Sequence, residues 1–235
     1  MFIKKYFSKI VAQAFDDAEK FISTKTLEFT LTSNKKVTIV DVGCGIGDKT
    51  IKMLSKLPKH KILDIYGLDI LPTEKIIDKT LLYKKLDVEK DKYPFSANSI
   101  DIVICNQVIE HLLDKDFLIA EVHRILKKGG LFMLATENIA SLDNIVSLVL
   151  GQEPVTQVTS SKYRTNSILS TSFMQKELYG NKYEHKNDNS YFGIKRLYKV
   201  NGFESTNIKS FGSVCKPLEL VLPIYNKVIV VSAVK

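Results

Sequence analysis

The stretch from Thr38 to Thr50, TIVDVGCGIGDKT, constrains the fold of this chain more than any other. A short β-branched run surrounds an acidic residue, and alternating glycines follow at Gly43, Gly45 and Gly47. Apolar residues then recur at helical spacing, at Ile51, Leu54 and Leu57. A strand, a glycine turn and a helix in this order predict the opening of a βαβ unit, in which glycine lets the backbone approach a ligand closely.

The turn departs from the pattern that binds the pyrophosphate of a dinucleotide. That pattern is G-x-G-x-x-G, whereas Asp48 occupies the position of the third glycine here and would repel a phosphate. Asp41, inside the strand, likewise suits a cationic group. S-adenosylmethionine carries an ammonium and a sulfonium, so we interpret the turn as a candidate site for this cofactor. A plain glycine-rich connection between a strand and a helix is the alternative.

Length and composition favour one large domain. The chain has 235 residues, 45% of them hydrophobic, which suffices for a sizeable core. It contains no apolar run of about 18 residues, so we expect no transmembrane segment, and its first residues mix Lys and Asp too densely for a signal peptide. Cys44, Cys105 and Cys215 lack zinc-ligand spacing, so we expect no metal and a reducing, cytoplasmic setting.

The net charge of +8 and the sequence pI of about 9.2 raise the question of a polyanionic partner. Nearly all of the basic charge is lysine, and the only arginines are Arg124, Arg164 and Arg196. Guanidinium groups do most of the specific reading of bases and phosphates, and the lysines are scattered along the sequence. A solvated surface is therefore favoured, and nucleic acid stays a possible but not a favoured partner.

Strand and helix patterns alternate along the chain, which predicts a parallel, doubly wound α/β sheet. After the first strand, strand patterns cover residues 61–69, 81–86, 100–105, 131–136, 203–211 and 228–234. Helix patterns cover residues 1–23, 116–128, 144–150 and 191–200. Gly129 and Gly130 are expected to end the helix at 116–128. Residues 27–31 are expected to form an irregular or extended connector.

Two further acidic residues follow predicted strands. Asp69 ends the second apolar run, about 20 residues past the glycines, where a nucleotide fold uses an acid to accept hydrogen bonds from both ribose hydroxyls. Asp87 and Val88 follow the third strand and could read the edge of an adenine through a carboxylate and a backbone N–H. The alternative for each aspartate is a capping role in the next turn.

Four segments resemble the successive motifs of class I S-adenosylmethionine-dependent methyltransferases, within the type 11 and UbiG-like small-molecule branch. They are VDVGCGIG, YGLDI, KLDVEKDKYPFSANSIDIVICNQVIEHL and EVHRILKKGGLFML, and they span roughly residues 37–136 in the family's order. The resemblance implies a Rossmann-like, seven-stranded, mostly parallel sheet with an antiparallel C-terminal strand. It also implies a single domain over 1–235, with an N-terminal helical extension at 1–30 and an acceptor-site cap at 137–190.

The resemblance also implies roles for individual residues. The methionine part of the cofactor would lie against Asp41, Gly43, Cys44, Gly45 and Gly47. Asp69 would bind the ribose, and Ile70, Asp87 and Val88 would contact the adenine. Asn106 and Val108 would line the sulfonium end. His111 stands where the family carries the histidine of its E-H-L segment.

The resemblance predicts methyl transfer to a small-molecule or glycan acceptor, on oxygen. A hydroxyl acceptor would need a base of near-neutral pKa, and His111 and His185 are the candidates. A structural, hydrogen-bonded histidine is the alternative for His111. Tyr163, Tyr179 and Tyr183 are candidates for lining the acceptor pocket. The alternatives are an RNA or protein methyltransferase and a cofactor-binding module without transfer activity. A nicotinamide oxidoreductase is disfavoured by the missing third glycine.

Overall fold

The computed structural model describes residues 2–77, 79–156, 185–203, 205–213 and 222–235. Its helices and strands are, in chain order, α1 Phe2–Thr32, β1 Val37–Val42, α2 Asp48–Leu54, β2 Ile62–Asp69, β3 Leu82–Lys85, β4 Ile100–Asn106, α3 Lys115–Ile125, β5 Leu126–Glu137, α4 Leu142–Val149, α5 Tyr191–Val200, β6 Ser205–Phe211 and β7 Val228–Val234. Short 3₁₀ turns lie at Lys59–Lys61, Thr73–Lys75, Ile109–His111 and Pro223–Tyr225.

The strands form one seven-stranded sheet in the order β3-β2-β1-β4-β5-β7-β6. Strands β1 to β5 run parallel, whereas β7 lies antiparallel to both β5 and β6. This arrangement confirms the predicted mostly parallel, doubly wound sheet with its antiparallel C-terminal strands. Strand β1 lies between β2 and β4, so the strand order reverses there, and in open α/β sheets ligands bind at the carboxyl ends of the strands at such a point.

Apolar side chains cover both faces of the sheet. Residues alternate along each strand, so that Ile39, Ile102 and Met133 face one layer while Val40, Val103 and Phe132 face the other. The first layer contains α1, which buries a stripe of small and β-branched residues at every fourth position: Ala14, Ala18, Ile22, Thr26 and Thr30. The second layer contains α3 and α5. Burial on both faces explains why the parallel strands read as continuous apolar runs in the sequence.

The structure corrects two of the predicted boundaries. Residues 27–31 continue α1 instead of forming a connector, because its buried stripe runs on through Thr30 and the Lys61 ammonium bonds to the carbonyl oxygen of Leu31 at 3.2 Å. Helix α3 ends at Ile125, since Leu126 is already extended and pairs with Ile100. The glycines at 129 and 130 therefore lie inside β5 and do not end the helix.

The C-terminal predictions agree closely with the structure. Helix α5 spans the predicted residues, with Asn201 as its C-cap. The two following strands lie at Ser205–Phe211 and Val228–Val234, and α4 forms the short helix expected near residues 144–150. No helix in the described ranges is long and apolar enough to cross a membrane.

Candidate active site

The glycine turn after β1 packs against the end of β4. The backbone N–H groups of Gly43 and Cys44 both donate to the carbonyl oxygen of Leu68, at 2.7 and 3.2 Å. Gly43 has a φ of 74°, and a Cβ added there would lie 2.2 Å from the Val108 side chain. A side chain at position 43 would therefore push apart the two segments that border the site, which is why glycine is required there.

Asp69, at the carboxyl end of β2, holds this turn in place. Its Oδ2 accepts from the N–H of Gly45 at 2.8 Å, and its Oδ1 accepts from the N–H of Leu71 at 3.0 Å. Its own carbonyl oxygen accepts from the N–H of Leu86 at 2.9 Å, which brings Asp87 close by. Each carboxylate oxygen has two acceptor sites, so this geometry leaves capacity for hydroxyl donors. Asp69 thus connects the glycine turn with the segment after β3.

Asp41 lies beneath the turn. It is buried and accepts a 2.5 Å hydrogen bond from the Thr50 hydroxyl of α2. Burial raises the pKa of Asp41 to about 7; the Thr50 bond lowers it, and the nearby Asp69 carboxylate raises it further. The two acids are therefore electrostatically coupled. A cation at the turn would lower the pKa of Asp41 and favour its charged form.

The residues predicted to meet the adenine lie at the same edge. Ile70 is 49% exposed, whereas Val88 is buried and its carbonyl oxygen accepts from the Tyr93 hydroxyl at 3.0 Å. The Oδ1 of Asp87 accepts from the N–H of Glu89 at 3.0 Å. Asp87 therefore caps the next turn, which was the alternative to a role in adenine binding. It also directly follows Leu86, whose N–H bonds to the carbonyl oxygen of Asp69.

Two neighbouring amide side chains at the end of β4 have unused donors. The Nδ2 of Asn106 and the Nε2 of Gln107 are buried and have no hydrogen-bond partner. Gln107 also has a φ of 59°, a left-handed conformation that is costly for a side chain of this kind. Strain and unpaired donors at one place are typical of a ligand site. Sequence reasoning missed Gln107, because no local signal in NQVIEH marks a left-handed residue.

The structure brings the two predicted histidines together. The rings of His111 and His185 lie edge to face, with their centroids 5.0 Å apart. The Nδ1 of His185 lies 3.4 Å from Asp188 and 3.6 Å from Glu137, and Glu110 accepts from the Thr136 hydroxyl at 2.9 Å. Glu137 ends β5, and its Oε2 is buried without a hydrogen bond. We call these five residues, Glu110, His111, Glu137, His185 and Asp188, the acid–histidine cluster.

Burial shifts the ionisation of this cluster. It raises the pKa of Glu110 to about 7, with the charge of His185 acting against the shift. Burial lowers the pKa of His185, but the carboxylates of Asp188, Glu137 and Glu110 outweigh it and raise that pKa to about 9. One ligand atom each from Glu110, His111 and His185 lies within 4.8 Å of the others, so these three residues could hold a metal ion. Sequence spacing gave no sign of this grouping.

Burial raises the pKa of the Cys44 thiol, with Asp41 and Asp69 adding to the effect, so Cys44 is a poor nucleophile and acts as a small residue that fits the turn. Tyr163, Tyr179 and Tyr183 lie outside the described residues.

A family model described as a methyltransferase domain matches residues 40–134. This segment therefore resembles a methyltransferase domain. The match confirms the resemblance predicted from the four sequence motifs, and it supports S-adenosylmethionine as the cofactor of the methyltransferase domain. The matched range begins inside β1 and ends inside β5, so it includes the glycine turn, Asp69, Asp87 and the end of β4.

Comparisons with individual proteins agree with this assignment. The chain is 27% identical over 126 residues to a ubiquinone biosynthesis O-methyltransferase of Pelagibacter ubique, a match that covers 51% of this chain and 49% of that protein. It spans about half the length of the curated relatives of this name.

Solved structures share the fold. A methyltransferase of Mesorhizobium loti matches with a TM-score of 0.58 and 19% identity, over 91% of this chain and 98% of that one. A phosphoethanolamine N-methyltransferase of Haemonchus contortus, solved with S-adenosylmethionine, matches with a TM-score of 0.54 and 18% identity, over 91% of this chain and 52% of that one.

The residues of this matched segment fit the cofactor S-adenosylmethionine. At Gly43 the backbone leaves no room for a side chain, Asp69 retains acceptor capacity, and the unpaired donors of Asn106 and Gln107 lie at the end of the adjacent strand. These groups offer partners for a carboxylate and for hydroxyls, while the acids at 41 and 69 suit a positively charged ligand.

Proposed function

We propose that this chain transfers a methyl group from S-adenosylmethionine to a small-molecule or glycan acceptor, on oxygen. The observation that carries the proposal is the acid–histidine cluster at the ends of β4 and β5, next to the edge that holds the glycine turn. A hydroxyl attacks poorly unless a neighbouring group takes its proton. Relatives named as O-methyltransferases support the same chemistry.

The cofactor would supply a methyl group already activated by its sulfonium. The protein's own contribution is placement of the acceptor, because holding two reactants in a reactive geometry can supply about 7–11 kcal/mol of the barrier. Asp41, Asp69 and the glycine turn would bind the donor, and the segment at 137–190 would hold the acceptor beside Asn106 and Val108.

Within the cluster, we assign the proton-accepting role to His111. His185 lies between Glu137 and Asp188, which favour its protonated form, so it is better suited to bind an electron-rich acceptor atom than to remove a proton. His111 faces it at 5.0 Å from ring to ring.

Calorimetry tests the cofactor site. We expect S-adenosylmethionine and S-adenosylhomocysteine to bind and NAD not to bind. The Asp69→Ala substitution should weaken binding of S-adenosylmethionine by about 2 kcal/mol or more, because it removes charge-assisted hydrogen bonds and releases Gly45. Asp64→Ala, on the same strand but away from its carboxyl end, is the matched control. Unchanged affinity in Asp69→Ala would remove Asp69 from the site.

A screen for release of S-adenosylhomocysteine tests the transfer. Pools of sugars, phenols, quinols, RNA and peptides would be offered as acceptors to the wild type and to His111→Gln. We expect turnover with a hydroxyl-bearing small molecule and its loss in the variant, with cofactor affinity retained. Turnover with RNA or peptide alone would contradict the proposed acceptor class.

A further inference from the structure

Residues 185–189 form a short segment, here called the strap, that lies across the carboxyl edge of the sheet. The N–H groups of Lys186 and Asn187 donate to the carbonyl oxygen of Glu110, at 2.9 and 3.2 Å. The carbonyl oxygen of Asn189 accepts from the N–H of Ile139 at 2.9 Å. The strap thus carries both His185 and Asp188 of the acid–histidine cluster, and its position fixes where they lie.

Lys115 holds three consecutive residues of the strap. Its ammonium donates to the carbonyl oxygen of Asn187 at 2.6 Å, to the Oδ1 of Asn189 at 2.9 Å and to the carbonyl oxygen of Asp188 at 3.4 Å. An ammonium group has three donors, so these contacts use all of them. Burial lowers the pKa of Lys115, whereas the carboxylates of Asp188 and Glu110 raise it.

The place of Lys115 in its own helix makes this contact informative. It is the first residue of α3, directly after the N-cap Asp114. The N-terminus of a helix carries partial positive charge and favours acids over cations. A lysine there is unfavourable locally, and a residue that breaks a local rule usually serves a purpose elsewhere in the fold. Here the compensating contacts are all with the strap.

We propose that Lys115 is a positioning residue that fastens the strap, so that His185 faces His111 at the acceptor end of the site. The effect of Lys115 on catalysis rests on the proposed function. Its effect on the position of the strap can be tested without any methyl acceptor. The charged groups that act on His185 are Glu110, Glu137 and Asp188, and Lys115 in turn interacts with Asp188 and Glu110. Without the lysine, the strap would lose three of its anchoring hydrogen bonds.

The test compares Lys115→Met with Lys127→Met in the full chain. Lys127 is a matched control, because its ammonium pairs with Asp101 at 2.7 Å at the other end of the fold's central strands. Two measurements report on the strap: amide hydrogen exchange at Lys186 and Asn187, and the nuclear Overhauser effect between the His111 and His185 rings. The four histidines of the chain make the ring signals assignable by single substitutions.

In Lys115→Met we expect exchange at the two amides to accelerate at least ~10-fold and the ring-to-ring signal to disappear. The melting temperature of the sheet and the affinity for S-adenosylmethionine should stay as in the wild type. Lys115→Arg, which keeps a charged multiple donor, should restore the signal. Retention of protection and of the ring contact in Lys115→Met would overturn the proposal, as would equal losses in Lys127→Met. If Lys115→Met does not fold, Lys115→Gln is judged by the same readouts.

The acceptor screen separates this inference from the proposed function. If methyl transfer is found, Lys115→Met should lower its turnover without changing the KM for S-adenosylmethionine. Loss of the ring contact without any methyl transfer in the wild type would support the positioning role and contradict the proposed function. Full turnover despite loss of the ring contact would show that the position of His185 does not matter, and would overturn the catalytic meaning given to Lys115.

Discussion

At the scale of single residues, Gly43 and Gly45 share a left-handed backbone but differ in their surroundings. A Cβ at position 43 would meet Val108 at 2.2 Å, whereas nothing lies within 4 Å of a Cβ at position 45. Gly45→Ala should therefore cost only backbone strain, about 1–2 kcal/mol. Gly43→Ala should add a clash worth about 1–3 kcal/mol. Urea unfolding of both variants measures the difference, and equal losses would contradict the role given to Val108.

Asp41 should make stability depend on pH. Its pKa is about 7 in the folded chain, against the 3.8 that is ordinary for an aspartate side chain. The folded state therefore binds the proton more tightly, and the free energy of unfolding should fall as pH rises from about 4 to about 7. Asp41→Asn should flatten this slope, and Thr50→Val should extend the slope to higher pH by removing the bond that lowers the pKa. Unfolding curves across this range check it; an unchanged slope in Asp41→Asn would contradict it.

At the scale of elements, α4 turns its polar side inward. Asp143, Asn144 and Ser147 are buried, while Leu148 and Val149 are exposed. The buried Lys227 ammonium, in the loop before β7, pairs with Asp143 at 2.8 Å. The Nδ2 of Asn144 donates to the carbonyl oxygens of Asn138 and Ile139, at 3.2 and 3.1 Å. The ion pair ties α4 to the loop that leads into β7.

A double-mutant cycle tests the pair of Asp143 and Lys227. Asp143→Leu alone should cost about 3–5 kcal/mol, because it leaves a buried ammonium without its partner. The double variant with Lys227→Met should lose clearly less than the sum of the single losses. Chemical denaturation measures all three. Additive losses would show that the two side chains do not stabilise each other.

Sequence patterns predicted the bounds of strands and helices well where the apolar periodicity was regular and ended at a clear turn signal. The β-branched run of β4 and the helix before Asn201 were predicted within a residue of their observed bounds. The end of α3 was wrong, because helical propensity extends past Ile125 while pairing with β4 makes Leu126 extended. The neighbours of His185 could not be predicted, because Glu137 reaches it only through tertiary folding, as Lys115 reaches Asn189 of the strap.

At the scale of the whole molecule, the net charge of +8 comes from scattered lysines, and some of those in the described ranges form ion pairs with nearby acids. Such a surface should bind polyanions weakly. In a titration with generic RNA, we expect negligible affinity near physiological salt and little residual affinity at low salt. Tight binding with a steep salt dependence would contradict this expectation and favour an RNA acceptor.

The two hydrogen bonds that Asp69 accepts from the N–H groups of Gly45 and Leu71 affect the kinetics of ligand binding. These two hydrogen bonds order the glycine turn when the β-strands assemble during folding. S-adenosylmethionine would therefore not have to order the turn when it binds. The folded chain should therefore bind S-adenosylmethionine in a single fast step. Variants that lose these hydrogen bonds should lower the association rate constant more than they raise the dissociation rate constant.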